Sequence, residues 1–434
     1  MTRVRGASYV VRGLIIAGIA LCSGRPVRLS AQEAPTGETA VVFQRFHARV
    51  PKIQVLESST GAKAVTGSGF YVDRLGHLVT NYHVVSKLVA HPDRYRAELL
   101  DSAGTARPVT VLRVDVVHDL AVLATAPAGD TPLAVADRLP AQGRRLFSLG
   151  HPLELGITIV EGTYNGLMAH ALTPRIHFTG ALNPGMSGGP TIDAEGRVIG
   201  VNVATAGNEV SFLVPASAVH ALLDSAAAAR WAAEPDLLAD VGAQLRRYSD
   251  AYLATMFTGE VPTTTLGGVE LPTRAAPFFN CWADADREAG RPWESVEHLC
   301  TSDDVVFLSE DLWAGVLEFG HTLYTSDELS PVRFYAMYQA RFQDDVEQLD
   351  GDDEDLTDFK CLTRNVEQGG ATWRTVYCLR AYKRLPGLYD ATFKAAQLGR
   401  GNVGVMTRLT LSGVTAEAAE ATVRRYFARL RWAR

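Results

Sequence analysis

From about Val41 to Val214 the chain consists of short β-prone runs, each stopped by Gly, Pro, Asp or Asn. Segments 50–56, 69–72, 77–80, 109–114 and 121–124 read as strands. Ala194-Glu195-Gly196 separates 191–193 from 197–203 and reads as the turn of a hairpin. Many short strands with turn signals between them fit a barrel or a sandwich. The pattern changes near Pro215. Segments 216–223 and 225–233 are alanine-rich and helix-prone. Segment 236–252 continues in helical spacing through Leu237, Leu238, Val241, Leu245 and Tyr248. Beyond Thr258 the pattern mixes both types. Segments 388–395 and 403–411 alternate like strands, and 416–430 reads as a helix capped by Thr415. No internal repeat is visible.

A chain of 434 residues holds roughly two or three domains. With 47% hydrophobic and 21% charged residues it is of ordinary globular composition. The net charge of −6 gives no case for nucleic acid as a partner. Arg3, Arg5 and Arg12 precede the apolar run 13–21, which is short for a membrane span and fits a signal peptide ending at Ala31. The expected location is therefore periplasmic or secreted, with membrane attachment only if the segment stays uncleaved. Four cysteines remain beyond it, Cys281, Cys300, Cys361 and Cys378, without a C-x-x-C pair. Pairing of sequence neighbours, Cys281–Cys300 and Cys361–Cys378, is the preferred of three connectivities. Each bridge closes a loop of roughly 20 residues, worth roughly 3 kcal/mol in the chain-entropy model.

The chemistry-bearing stretch is Asn183-Pro184-Gly185-Met186-Ser187-Gly188-Gly189-Pro190. Upstream lie Thr80-Asn81-Tyr82-His83 and His118-Asp119-Leu120-Ala121. A serine hydroxyl needs a base to take its proton, and imidazole titrates near working pH. The imidazole needs a carboxylate to fix its tautomer. His83 and Asp119 are the candidates, with Asp115 a rival for the second place. Attack on a carbonyl also develops charge on oxygen. Glycine at 185 lets the N–H groups of Gly185 and Ser187 turn toward that charge.

In the order His, Asp, Ser, these stretches resemble the trypsin-like serine peptidases, most closely the HtrA/Deg branch. Gly67-Ser68-Gly69-Phe70, Gly76–Val85, Asp119–Leu123, Leu149-Gly150-His151-Pro152, Asn183–Pro190 and Ser211–Pro215 carry the resemblance. It covers roughly residues 41 to 222. It implies an all-β double β-barrel with a site in the cleft between barrels, and a serine endopeptidase using an acyl-enzyme. His83 would be the base, Asp119 its orienter, Ser187 the nucleophile, and Gly185 with Ser187 the oxyanion hole. Protein or peptide substrates would be the partners, with no cofactor and no metal. The resemblance also places Ala181 at the base of the primary specificity pocket. The strand 201–204, with Val203, would form a wall, so small apolar residues before the scissile bond are expected.

The expected layout is a signal peptide (1–31), a peptidase domain (41–222), a helical connector (223–257) and an α+β accessory domain (258–434). Three departures from the family stand out. Met186 replaces the usual Asn, which keeps a catalytically silent binding protein as the alternative. The C-terminal half has no carboxylate-binding loop of the PDZ kind. The short N-terminal segment argues against carrying over the family's trimer. In the C-terminal half, the acidic stretch 344–358 lacks EF-hand spacing and reads as a solvated loop, with calcium as the minor alternative. Trp282, Trp293, Trp313 and Trp373 read as core.

Overall fold

The computed structural model describes residues 37–127, 131–205, 210–302, 304–344, 349, 351–399 and 401–433. The signal-peptide segment lies outside the described residues. Helix α1 (Glu38–Phe46) opens the structure and seats Val42 and Phe46 under the barrels.

Seven strands then curl into the first barrel-like sheet. Their spatial order is Lys63–Ser68, Lys52–Glu57, Tyr95–Leu100, Ala106–Asp115, Leu120–Ala124, His77–Thr80 and Phe70–Tyr71. Helix α2 (Tyr82–Ala90) interrupts it directly after His77–Thr80. A second sheet closes completely from Arg145–Gly150, Thr158–Leu167, Ile176–Phe178, Ser211–Pro215, Val198–Thr205 and Pro190–Ile192. The short, alternating runs of the sequence make this geometry, because each strand buries one face against the barrel interior. The expected hairpin forms between Pro190–Ile192 and Val198–Thr205.

The run 216–233 resolves into one helix, α3 (Ala216–Ala228). It has no break at Asp224, where the sequence pattern places one. The chain leaves it through Arg230 and Trp231, both at positive φ, and Trp231 stacks on His77 at 3.9 Å. Helix α4 (Leu237–Leu253) is capped by Asp236, whose carboxylate accepts from Ala239 N–H. Its Val241 and Leu245 belong to the same buried cluster as Val111 and Val114 of the first barrel.

The C-terminal half is built on a seven-stranded antiparallel sheet, in the order Phe279–Asp286, Glu294–Ser302, Leu317–Thr325, Val403–Val414, Tyr389–Gln397, Ala371–Ala381 and Lys360–Gln368. Helices α5 (Pro331–Asp344) and α6 (Ala416–Phe427) accompany it. Thr415 caps α6 as its sequence position predicts, accepting from Ala418 N–H. The disulfides join Cys281 to Cys300 and Cys361 to Cys378, each across directly opposed residues of neighbouring strands.

Among the tryptophans the core expectation fits Trp373, which is buried. It fails for Trp282, which is half exposed, and for Trp293, whose ring lies between the guanidinium groups of Arg291 and Arg341. In the acidic stretch, Asp352 closes a turn by accepting from Glu354 and Asp355 N–H, and Leu356 is buried. Among the described residues the one cluster of three metal-type donors is Cys281, His298 and Cys300, and both sulfurs are committed to the disulfide.

Candidate active site

His83 sits in the first turn of α2, immediately after the strand His77–Thr80. Asn81 precedes the helix in an extended conformation, and its side-chain amide donates to the backbone oxygen of Asp119 at 2.7 Å. Asp119 lies in the turn between Ala106–Asp115 and Leu120–Ala124, at φ +59. Asp tolerates this left-handed conformation better than most residues. The turn aims both carboxylate oxygens at one residue. Oδ1 accepts His83 N–H at 2.8 Å, and Oδ2 lies 2.6 Å from His83 Nδ1. The rival Asp115 is engaged elsewhere, 2.7 Å from His118 Nδ1. Asp119 therefore meets His83, and Asp115 does not.

The imidazole is mostly covered. Burial pulls its pKa down, but the charge of Asp119 and the hydrogen bond to it outweigh burial, and the net shift is upward. With Nδ1 turned to the carboxylate, Nε2 is the nitrogen left for chemistry.

Backbone contacts seat the Ser187 turn against Ser68 and the segment that leads to His83. Its carbonyl accepts Ser68 N–H at 2.7 Å. A Cβ added at Gly188 would fall 2.3 Å from Thr80 Oγ1 and 2.9 Å from Asn81 N, so only glycine lets the serine turn lie against the segment leading to His83. The Ser187 hydroxyl donates to Val203 O at 3.4 Å. Val203, His83 and Asp119 line one pocket. Among the described residues no hydrogen bond joins the Ser187 hydroxyl to the His83 imidazole.

The turn itself is held from three sides. Ser68 Oγ donates to Gly185 O at 2.7 Å and accepts His151 N–H at 2.9 Å. Asn202 Nδ2 donates to Leu149 O and Met186 O, both at 3.1 Å, while its Oδ1 accepts from Ser148 and Thr191. Gly185 lies at φ +95, and a Cβ there would meet His151 O at 2.4 Å. Among the described residues, the N–H groups of Gly185 and Ser187 have no acceptor. Met186 lies at the centre of this turn. Its side chain is fully buried among Tyr164, Ile176, Phe178 and Leu182, and its N–H reaches Asn183 O at 3.0 Å.

Ser68 and Asn202 escaped the sequence reading as site residues. The signal for Ser68 was its place in Gly67-Ser68-Gly69. Asn202 had no local signal, because its four partners are spread from 148 to 191. Of the two specificity positions, Val203 lines the pocket beside His83. Ala181 does not: it is exposed and lies outside that lining.

This fold and this constellation define a class. Residues 67–201 match the family model described as a trypsin-like peptidase domain. Protease Do-like 5, chloroplastic, of Arabidopsis thaliana is 35% identical over 156 residues, 32% of this chain and 48% of that protein. A probable periplasmic serine endoprotease, DegP-like, of Bartonella henselae is 33% identical over 191 residues, 40% of this chain and 36% of that protein. The crystal structure of Deg5 is 29% identical, covers 44% of this chain and 93% of that one, and superposes with a TM-score of 0.38. Over the matched segment the chain is similar to trypsin-like peptidase domains and to proteases of the HtrA/Deg type. The chain spans about half or less of the length of these curated relatives.

Proposed function

We propose that this protein is an exported serine endopeptidase that hydrolyses peptide bonds through an acyl-enzyme. The observation that carries this reading is the doubly bonded His83–Asp119 pair, at 2.8 and 2.6 Å, with His83 on a helix whose leading segment, Thr80-Asn81, packs against the Ser187-Gly188 turn. Ser187 Oγ attacks the scissile carbonyl while its proton passes to His83 Nε2. Negative charge on the carbonyl oxygen is met by the N–H groups of Gly185 and Ser187. Collapse of the tetrahedral intermediate breaks the C–N bond, and the leaving amine takes the proton from His83. Water then attacks the acyl carbon, its proton going to His83, and collapse of this second intermediate breaks the ester C–O bond as His83 returns the proton to Ser187 Oγ.

The DegP-like relative's periplasmic designation, the basic–apolar N-terminus and the two disulfides support export. Substrates are unfolded polypeptides with a small apolar residue, such as Val or Ala, before the scissile bond. Val203 supports that preference by its place in the groove; Ala181 supports it only by its sequence position.

Labelling with a fluorophosphonate tests the assignment. The wild-type protein is expected to label and to digest casein, and Ser187→Ala to do neither. Folded wild type that does not label would instead establish the catalytically silent reading.

A further inference from the structure

The pocket beside His83 is not made by the peptidase barrels alone. It encloses about 630 Å³, within the range of ligand-binding sites. One wall is Val116, Val117, Val203 and Phe212 of the barrels. Phe307 and Trp313 also line the pocket, from a small hairpin of the C-terminal half formed by Val306–Ser309 and Leu312–Ala314. That hairpin is fixed to both barrels. Val306, Leu308, Leu312 and Ala314 are buried in the cluster that contains Val84 and Val85 of α2. Glu310 lies 3.2 Å from Lys87 of α2. On the other side Asp304 accepts from Thr173 Oγ1 at 2.9 Å and from the N–H groups of Leu172 and Thr173. The segment 304–314 thus spans the cleft from the first barrel to the second.

Strand alternation gives Phe307 its direction. Val306 and Leu308 are buried in the core, Val306 at the margin of the pocket, and Phe307 between them is partly buried and lines the groove. Its ring stands edge-on to the His83 imidazole at 5.8 Å and to Trp313 at 5.0 Å. An aromatic pair held this way presents apolar surface within one side chain's reach of the reacting atoms.

The backbone of the groove says what enters it. The strand Pro190–Ile192 pairs with Val198–Thr205 only as far as Val201. Asn202 N–H and O are taken by Gly189 and Gly188. From Val203 onward, among the described residues, that side of the strand has no partner strand, and it runs past Ser187 along the pocket. An extended peptide can add to such an edge, placing alternate side chains to one side.

We propose that Phe307 and Trp313 are specificity-determining residues, which with Val116, Val117 and Val203 hold a large apolar side chain of an extended substrate, two to four residues before the scissile bond. The C-terminal half is then part of the substrate site. This rests on the endopeptidase reading for the direction of the peptide, and its test is built to separate the two.

Binding is measured on the Ser187→Ala protein, so that peptides stay intact. The probes are fluorescein-labelled hexapeptides with Val at the first position and Leu or Gly at the second, third or fourth. Burial of one Leu predicts that Leu is preferred over Gly by about tenfold or more at one of these positions. In Ser187→Ala/Phe307→Ala the ratio is expected to fall to about twofold, and in Ser187→Ala/Phe307→Leu to recover most of its size, which separates lost contact from lost fold. A ratio indifferent to Phe307→Ala overturns the proposal. So does a uniform tightening of all peptides in that variant, which would mark the hairpin as a cover over the groove. If the wild type fails to label with fluorophosphonate while the Leu/Gly ratio still depends on Phe307, the hydrolytic reading falls and the apolar groove stands.

Discussion

At the residue scale the proposed mechanism depends on the protonation of one imidazole. In it His83 must be neutral to take the serine proton, so activity is expected to fall as pH drops through its pKa. Asp119 holds that pKa above the ordinary histidine value, against the opposing effect of burial. The acid limb of kcat/KM is therefore expected above pH 6.5. In Asp119→Asn the charge is gone, burial dominates, and the limb moves to lower pH while kcat/KM drops on the order of 10⁴-fold. A pH profile of both proteins, each normalised to active-site concentration, checks this. An unmoved limb in Asp119→Asn would detach His83 from the observed titration. The His83–Asp119 contact was legible in the sequence because each residue stands in a short motif whose spacing its own local turn dictates. The choice of Asp119 over Asp115 needed the structure. The left-handed turn at 119 decides which of two nearby carboxylates faces α2, and no composition or spacing reports a φ angle.

At the element scale the turn through Gly185, Met186 and Ser187, the oxyanion hole of the proposed mechanism, is the part that folding must hold in place. Asn202 does so from the strand Val198–Thr205, with four side-chain hydrogen bonds and almost no exposure. Asn202→Asp keeps the acceptors for Ser148 and Thr191. It sets a carboxylate oxygen against the carbonyls of Leu149 and Met186, where two donations were. A buried repulsion in place of two hydrogen bonds is expected to cost about 3 kcal/mol of stability. Urea denaturation measures that loss, and a fall in kcat/KM in the same variant under folding conditions shows the turn has loosened. Stability within about 0.5 kcal/mol of wild type would mean that the turn is set by its glycines alone. The barrel strands, the hairpin and α6 were visible as elements because period and turn chemistry are local. The aromatic wall was not. Trp313 reads like any core tryptophan, and its neighbour Phe307 meets His83, which lies more than two hundred residues earlier in the chain.

At the scale of the whole molecule, the two halves do not behave as a peptidase with a tethered appendage. A single buried cluster runs from Ile53, Leu78, Val84 and Leu99 of the first barrel through Val241 and Leu245 of α4. It continues into Leu308, Leu312, Tyr382, Leu385 and Leu388 of the C-terminal half. Helix α4 also contributes Tyr252 and Leu253 to the core of the C-terminal sheet, so one helix belongs to both interiors. Each half thus covers apolar surface that the other would expose to water, at roughly 25 cal/mol per Å². Cutting the chain before α4 strips α2 of its cover on the side opposite the first barrel. The Arg384 guanidinium, bonded to Ala90 O and His91 at the end of α2, is lost with it. The consequence is thermodynamic coupling. Scanning calorimetry of the full chain is expected to give one transition with equal calorimetric and van't Hoff enthalpies, and a chain ending at residue 235 is expected to lose that transition or to melt at least 10 °C lower. Two resolved transitions, or a truncated chain that melts where the first of them does, would show that the shared cluster does not join the halves energetically. The accessory half would then be able to leave the site without unfolding the barrels.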